Sequence, residues 1–241
     1  MKVCIITGVT RERGLGYAIT RLMFQRGYIV YIGGRNGDSA AELAARLDKS
    51  GKKVRPSALD ITDDGSVSQF YSKVMEEEGV VDALINNAGG GFDAGQDPLA
   101  VNFSEARSTF ETNLFGAWRM IRRAVPLLMN SQAPCVVNVS SGAGTFGDPV
   151  FGMAHHPQQV PAYALSKLAL NGLTVKLAGQ LGAYGIMVNA VDPGLVATYP
   201  GMEKIGAADP KDAAVGVVWA ATLPKGGPNG QLFRNGKVTG W

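Results

Sequence analysis

Apolar residues follow two rhythms along this chain. Short continuous runs at 3–7, 28–32, 53–59, 80–85, 136–139 and 186–191 alternate with stretches where apolar residues recur every three or four positions. The second kind includes Leu15, Ala18, Ile19, Leu22 and Met23, then Val67, Phe70, Tyr71, Val74 and Met75. It returns at Leu114, Ala117, Trp118, Ile121, Val125 and Leu128, and at Leu165, Leu168, Ala169, Gly172 and Leu173. A short unbroken run suits a strand covered on both faces, and three-to-four spacing suits a helix with one buried face. Helices are also expected at 40–47 and 211–223; Gly27 and Gly79 stop two of the helices, and Pro126 is placed to kink the end of a third. Strand–helix repetition with right-handed crossovers predicts an α/β, Rossmann-type doubly wound parallel sheet of about seven strands with helices on both faces. Nothing divides the chain, so a single domain over residues 1–241 is expected.

Ligands in such sheets sit beyond the carboxyl ends of the strands. That directs attention to 7–16, 33–35, 86–91, 140–144 and 192–198, all of which follow expected strands. In the first, Gly8 is followed after five residues by Gly14, Leu15 and Gly16. Glycines let a backbone approach a ligand, and the start of a helix offers unpaired N–H groups to a pyrophosphate. The second strand ends in Gly34 and Arg35 rather than in the acid that would bind an adenosine ribose diol. Arg35 can instead pair with a 2′-phosphate, and Arg11 and Arg13 can add to the same positive pocket. NADP(H) is therefore the expected cofactor, with Asp60 and Ile61 at the adenine edge.

Composition removes several classes. The chain is 46% apolar with a net charge of +3, enough for a large core and without the concentrated basic stripe of a nucleic-acid binder. It has no run of 18 apolar residues, so no membrane span is expected. Met1 leads almost directly into an apolar strand, so no signal peptide is expected. Cys4 and Cys135 fall in or beside expected buried strands and read as small core residues; a cytoplasmic protein is expected. The chain has two histidines, His155 and His156, with no accompanying cluster, so no metal is expected.

Tyr163 and Lys167 lie four apart and share one helix face. A free tyrosine titrates at about pH 10, and a cation held beside it favours the phenolate. That pairing would make a usable general acid or base. Alone it is common by chance. Here it accompanies Asn86-Asn87-Ala88-Gly89, Asn113 in Glu-Thr-Asn-Leu-Phe-Gly, Ser140-Ser141-Gly142-Ala143-Gly144, and Asp192-Pro193-Gly194. In this combination and order, over essentially its whole length, the chain resembles the short-chain dehydrogenase/reductase family, in its single-domain, carbonyl-reductase-like branch.

The resemblance implies roles. Tyr163 would protonate a substrate carbonyl as hydride arrives, Lys167 would lower its pKa and hold the nicotinamide ribose, and Asn113 would position a water in a relay to that lysine. Ser141, rather than Ser140, would hydrogen-bond the carbonyl. Asn87, Ala88 and Gly89 would support the adenosine side; Pro193, Gly194, Val196 and Thr198 would border the nicotinamide. The substrate would be a small carbonyl or alcohol, and a homodimer or homotetramer would be the usual assembly.

Two departures stand out. The glycine loop is two residues longer than this branch carries and resembles that of enoyl-thioester reductases. Those space tyrosine and lysine seven apart, which here falls on Val160 or Leu170, neither able to serve. Enoyl reduction stays as an alternative, beside a non-catalytic NADP(H) sensor. A sugar epimerase or dehydratase would need a further C-terminal region. Second, 21 residues (142–162) separate Ser141 from Tyr163, longer than usual in the family. The extra segment at 146–161, with Phe151 and Met153, is expected at the substrate mouth, and 195–209 is a candidate lid.

Overall fold

A computed structural model of the protein describes residues 1–156 and 160–241. Eight strands make one sheet: β1 (Val3–Thr7), β2 (Ile29–Gly34), β3 (Val54–Ala58), β4 (Ala83–Asn86), β5 (Cys135–Val139), β6 (Met187–Val191), β7 (Leu232–Arg234) and β8 (Lys237–Thr239). Their spatial order is β3-β2-β1-β4-β5-β6-β7-β8. The first seven run parallel, and β8 returns antiparallel beside β7.

The continuous apolar runs follow from cover on both faces. In β1, Cys4 and Ile6 enter one core, while Val3 and Ile5 enter the other. Helices α1 (Leu15–Gln25), α2 (Gly37–Leu47) and α7 (Pro210–Ala221) supply the first core through Ile19, Met23, Leu43 and Val217. Helices α3 (Asp64–Glu77), α5 (Ala117–Leu128) and α6 (Pro161–Leu181) supply the second through Phe70, Met120, Ile121 and Leu181. Each fully buried aliphatic side chain contributes about 1.5–3 kcal/mol.

The expected architecture is present, with corrections at its edges. The sheet has eight strands rather than seven because the C-terminal stretch folds into the β7–β8 hairpin. Asn235 and Gly236, both at positive φ (52° and 72°), make its turn, and two such residues match the right-handed twist of the strands. The run at 80–85 yields a strand only from Ala83, where pairing with β1 and β5 begins. The helix expected from Leu114 starts earlier: α4 (Phe103–Phe110) passes through one π-helical turn, Glu111–Gly116, into α5. Pro126 lies in the last turn of α5, which ends at Leu128.

Strand order reverses between β1 and β4, so the carboxyl ends of these strands open the crevice in which the site is to be sought.

Candidate active site

The loop from β1 to α1 is shaped for close approach. Gly8 has φ of 74°, and a Cβ there would lie 2.6 Å from the Cα of Ala88. A Cβ on Gly16 would lie 2.7 Å from Asn87 Nδ2. The start of α1 differs from its neighbours. Asn36, Asp63 and Asn102 cap α2, α3 and α4 with their side chains, and each of those helices has an acid in its first turn. At α1, Gly14 offers no side-chain cap, and no acid lies in the first turn. Its N–H groups and positive dipole end are thus left for an external anion, a donor set that fits a dinucleotide pyrophosphate. Leu15 is buried beneath the loop.

Gly34 packs against the loop, its would-be Cβ 3.0 Å from the Val9 carbonyl. Arg35 follows it, exposed at the end of β2, and its charge helps hold the Asp60 carboxyl below the usual range, after the Thr62 hydroxyl and N–H bonds that dominate. Asp60 Oδ1 accepts from Thr62 N (2.9 Å) and Oγ1 (2.7 Å). Ile61 is buried and its carbonyl accepts from Arg119 at 2.8 Å. Arg13 is exposed. The Arg11 guanidinium lies over the Tyr199 ring, 4.2 Å from the centroid, joining the glycine loop to the 195–209 segment.

Asn87 ties β4 to β1, donating from Nδ2 to the Thr7 carbonyl at 2.8 Å and the Gly8 carbonyl at 3.2 Å. The Ala88 N–H donates to Thr7 Oγ1 at 3.0 Å. Gly89 faces both Asn113 and Lys167; its would-be Cβ sits 3.4 Å from Asn113 Oδ1 and 3.6 Å from Lys167 Nζ. Asn113 is buried within the π-turn, a feature that re-aims a residue on an otherwise regular helix. Its amide donates to the Gly90 carbonyl (3.0 Å) and Ser166 Oγ (2.9 Å), and its Oδ1 accepts from Gly90 N (2.9 Å).

The two adjacent serines part company. Ser140 is buried and donates to Asn171 Oδ1 at 2.5 Å, which fixes β5 to α6. Ser141 is half-exposed and accepts from Ala143 N at 3.2 Å, and its hydroxyl acts on Tyr163 by lowering the phenol's pKa. Lys167 donates to the Val139 carbonyl at 2.9 Å, with its Nζ 5.6 Å from the centre of the Tyr163 ring.

The expected lowering of the tyrosine pKa is not what this arrangement produces. Burial pushes Tyr163 up to about 12; the Ser141 hydroxyl lowers it only in part, and the Asp192 carboxylate raises it. Burial likewise brings Lys167 down to about 8, opposed by Asp192. For each group desolvation is the largest cause of the shift.

Asp192 Oδ1 accepts from Gly194 N at 2.8 Å, which bends the chain after Pro193, and Gly194 at φ of 72° faces open space. Val196 pairs with Ala208, and the Thr198 N–H donates to the Val196 carbonyl at 2.8 Å. The candidate lid is therefore pinned at its base. Phe151 and Met153 of the long segment pack beside Tyr163, against Ala143, Val160 and Ala164. The rest of that segment, 157–159, lies outside the described residues. Among the described residues no group of three or more His, Cys, Asp or Glu is placed to hold a metal ion.

One contributor was not foreseen. Asp93, half-buried in the loop after β4, caps α6 from outside: its oxygens accept from Ala162 N (2.8 Å) and Tyr163 N (3.1 Å). Phe92 beside it meets the Tyr163 ring edge-on, centroids 5.3 Å apart. The only sequence signal was the absence of a capping side chain before Pro161.

Comparisons with known proteins identify the family and the fold. The family model described as short chain dehydrogenase matches residues 2–207. A 3-oxoacyl-acyl-carrier-protein reductase FabG of Thermotoga maritima is 33% identical over 206 residues, 85% of this chain and 77% of that one. A 7alpha-hydroxysteroid dehydrogenase of Paraclostridium sordellii is 30% identical over 206 residues, 85% of this chain and 73% of that one. A crystal structure of a short chain dehydrogenase from Mycobacterium smegmatis shares the fold, with a TM-score of 0.80 at 23% identity over 97% of this chain and 90% of that one.

Proposed function

The chain belongs to the short-chain dehydrogenase/reductase family of oxidoreductases, and from that premise we propose that it is an NADP(H)-dependent carbonyl reductase. It moves a hydride between the nicotinamide and a ketone, aldehyde or secondary alcohol. One observation supports this above the others: Tyr163 stands with Lys167, whose Nζ is 5.6 Å from its ring, and both Lys167 and Asn113 border Gly89 at the crevice.

The cofactor, when bound, supplies the hydride. Gly8, Gly14, Leu15 and Gly16 hold its pyrophosphate against the start of α1, and Arg35 pairs with its 2′-phosphate. Arg13 adds positive charge there. Asp60 and Ile61 border the adenine, Asn87, Ala88 and Gly89 the adenosine side, and Pro193, Gly194, Val196 and Thr198 the nicotinamide. Arg11 adds its charge to the cofactor pocket while stacking on the lid residue Tyr199. Tyr163 gives its proton to the carbonyl oxygen, which Ser141 orients by hydrogen bonding. A phenol held near pH 12 keeps that proton at neutrality, which suits reduction. Lys167 holds the ribose and Asn113 positions a water that returns a proton toward it.

The reaction is placed in the cytoplasm, with no nucleic-acid or membrane partner. Among the described residues no helix is long and apolar enough to cross a membrane. The assembly is a homodimer or homotetramer. Its support is an exposed apolar groove between α4, the π-turn and α6, lined by Val101, Phe103, Phe110, Phe115 and Leu165. Sedimentation should show a dimer or larger that Leu165→Glu converts to monomer; a monomeric parent would contradict this.

The test is cofactor consumption with a panel led by 3-oxoacyl thioesters and steroid ketones, the chemistry that the relatives' names suggest. Ketone-dependent loss of NADPH absorbance, at least about tenfold faster than with NADH, is expected. Consumption of an enoyl thioester and no ketone would replace carbonyl by C=C reduction, and tight NADPH binding without any turnover would favour a sensor.

A further inference from the structure

A second group of charges lies directly beneath the serine loop. Arg234, on β7, donates from Nε to Asp192 Oδ2 at 2.8 Å, and its Nη2 contacts the same oxygen. That Nη2 also reaches Asp148 Oδ2 at 2.5 Å. Asp192 and Asp148 are 2% and 8% exposed. The cluster is tightly seated: a Cβ on Gly142 would lie 2.5 Å from Arg234 Nη2 and 3.0 Å from the Asp148 carboxyl carbon. Each acid also holds a loop of the site. Asp192 Oδ1 fixes Gly194 N, and Asp148 Oδ1 accepts from Val150 N (2.9 Å) and Phe151 N (2.8 Å) at the mouth.

With Lys167, itself 4% exposed, these residues form two cations and two carboxylates. We propose that Asp148, Arg234 and Asp192 act as one charge-balancing unit, its two carboxylates buried and its guanidinium partly exposed. Asp192 is the carboxylate whose charge bears on Lys167 without pairing with it directly, and Arg234 sets how much of that charge Lys167 and Tyr163 feel. The unit positions and tunes the catalytic pair and touches no substrate.

The electrostatics of the site carry the same sign. Asp192 is the neighbouring charge that raises both Tyr163 and Lys167, while its other partner, Arg234, draws on the same carboxylate. Buried charges are weakly screened, so one altered member changes the field on the others. The facing groups are Arg234 from β7, Asp148 from the mouth segment, and Tyr163 and Lys167 from α6. Arg234→Gln leaves a surplus negative charge and raises the proton affinity of Lys167. Asp148→Asn leaves a surplus positive charge and lowers it. The double variant restores the balance.

This inference rests on reading Tyr163 and Lys167 as the catalytic pair, but its test needs no turnover. The Lys167 side chain is followed by NMR of 13C-lysine-labelled protein between about pH 6 and pH 10, its signal assigned by its absence in Lys167→Arg. Arg234→Gln should move the midpoint up by about one pH unit and Asp148→Asn down by about one, with the double variant within about half a unit of the parent. Singles that move together or not at all, or a double that stays displaced, would overturn the proposal. Should Arg234→Gln fail to fold, Asp148→Asn decides: a lowered midpoint supports the unit, and an unchanged or raised one refutes it. A normal titration pattern in a protein that reduces no ketone would count against the proposed function alone.

Discussion

The carboxyl edge of the sheet is built in two different ways. On the β1–β2 side the backbone does the shaping: Gly8, Gly16 and Gly34 bring main chain against main chain, and α1 begins without a side-chain cap. On the β5–β6–β7 side the side chains do it. Asn86 donates to Asn138, Asn138 to Thr174, Ser140 to Asn171, Lys167 to the Val139 carbonyl, and Arg234 to Asp192. The first half fits a ligand that carries its own charge and needs N–H groups and room. The second fits chemistry that needs particular protons at particular atoms. The two halves should therefore fail differently: the first when atoms are added, the second when functional groups are removed.

The largest effect falls in the side-chain half. Lys167→Met should cut turnover by about 10²–10⁴-fold, measured as steady-state ketone reduction, and should weaken NADPH binding too. Retained turnover would remove the lysine from the mechanism. In the backbone half, Gly8→Ala forces a Cβ into Ala88 at a φ of 74°. It should destabilise the protein by about 2–4 kcal/mol, read from urea unfolding. A variant as stable as the parent would mean that the loop is not packed as described.

The two serines sharpen the contrast within one dipeptide. Ser141→Ala should lose about 10²-fold in kcat with little change in stability. Ser140→Ala should keep its activity and lose about 1–3 kcal/mol of stability, because Asn171 Oδ1 is left buried without its donor. Exchange of those outcomes would reverse the assignment. Arg35→Asp should weaken NADPH by about tenfold or more and spare NADH; an unchanged ratio of affinities would make Arg35 an ordinary surface charge.

The pH dependence is the mildest effect. Tyr163, held near 12, stays protonated through neutrality, so ketone reduction should be level below about pH 7. As pH rises through about 8, Lys167 loses its proton and reduction should decline. A profile flat to pH 10 would show that the charge on Lys167 is not needed.

Much of this was legible in the chain. The unbroken apolar runs announced strands covered twice, and Gly8, Gly14 and Gly16 marked a loop before the first helix. Helical spacing put Tyr163 and Lys167 on one face, and the Asn-Asn-Ala-Gly run, Asn113 and the serine pair gave that spacing its meaning. The parts that stayed hidden depend on contacts between distant residues. The Asp93 cap on α6 joins residues 69 and 70 apart, and Arg234 meets Asp192 across 42. No local pattern marks which acid will face which cation. The π-turn at Glu111–Gly116 is a local change in a helix whose apolar spacing barely registers it. The tyrosine's environment was misread for a similar reason. Spacing brings a cation near, but burial, which sequence spacing does not measure, dominates its proton affinity.

The most direct test of the central claim is Tyr163→Phe, with NADPH binding and ketone reduction measured on the same preparation. Removal of one hydroxyl should reduce turnover by about 10²-fold or more while NADPH affinity stays within about threefold of the parent. Turnover that survives the loss of that hydroxyl would contradict the account, because no proton donor would then be assigned to the carbonyl oxygen.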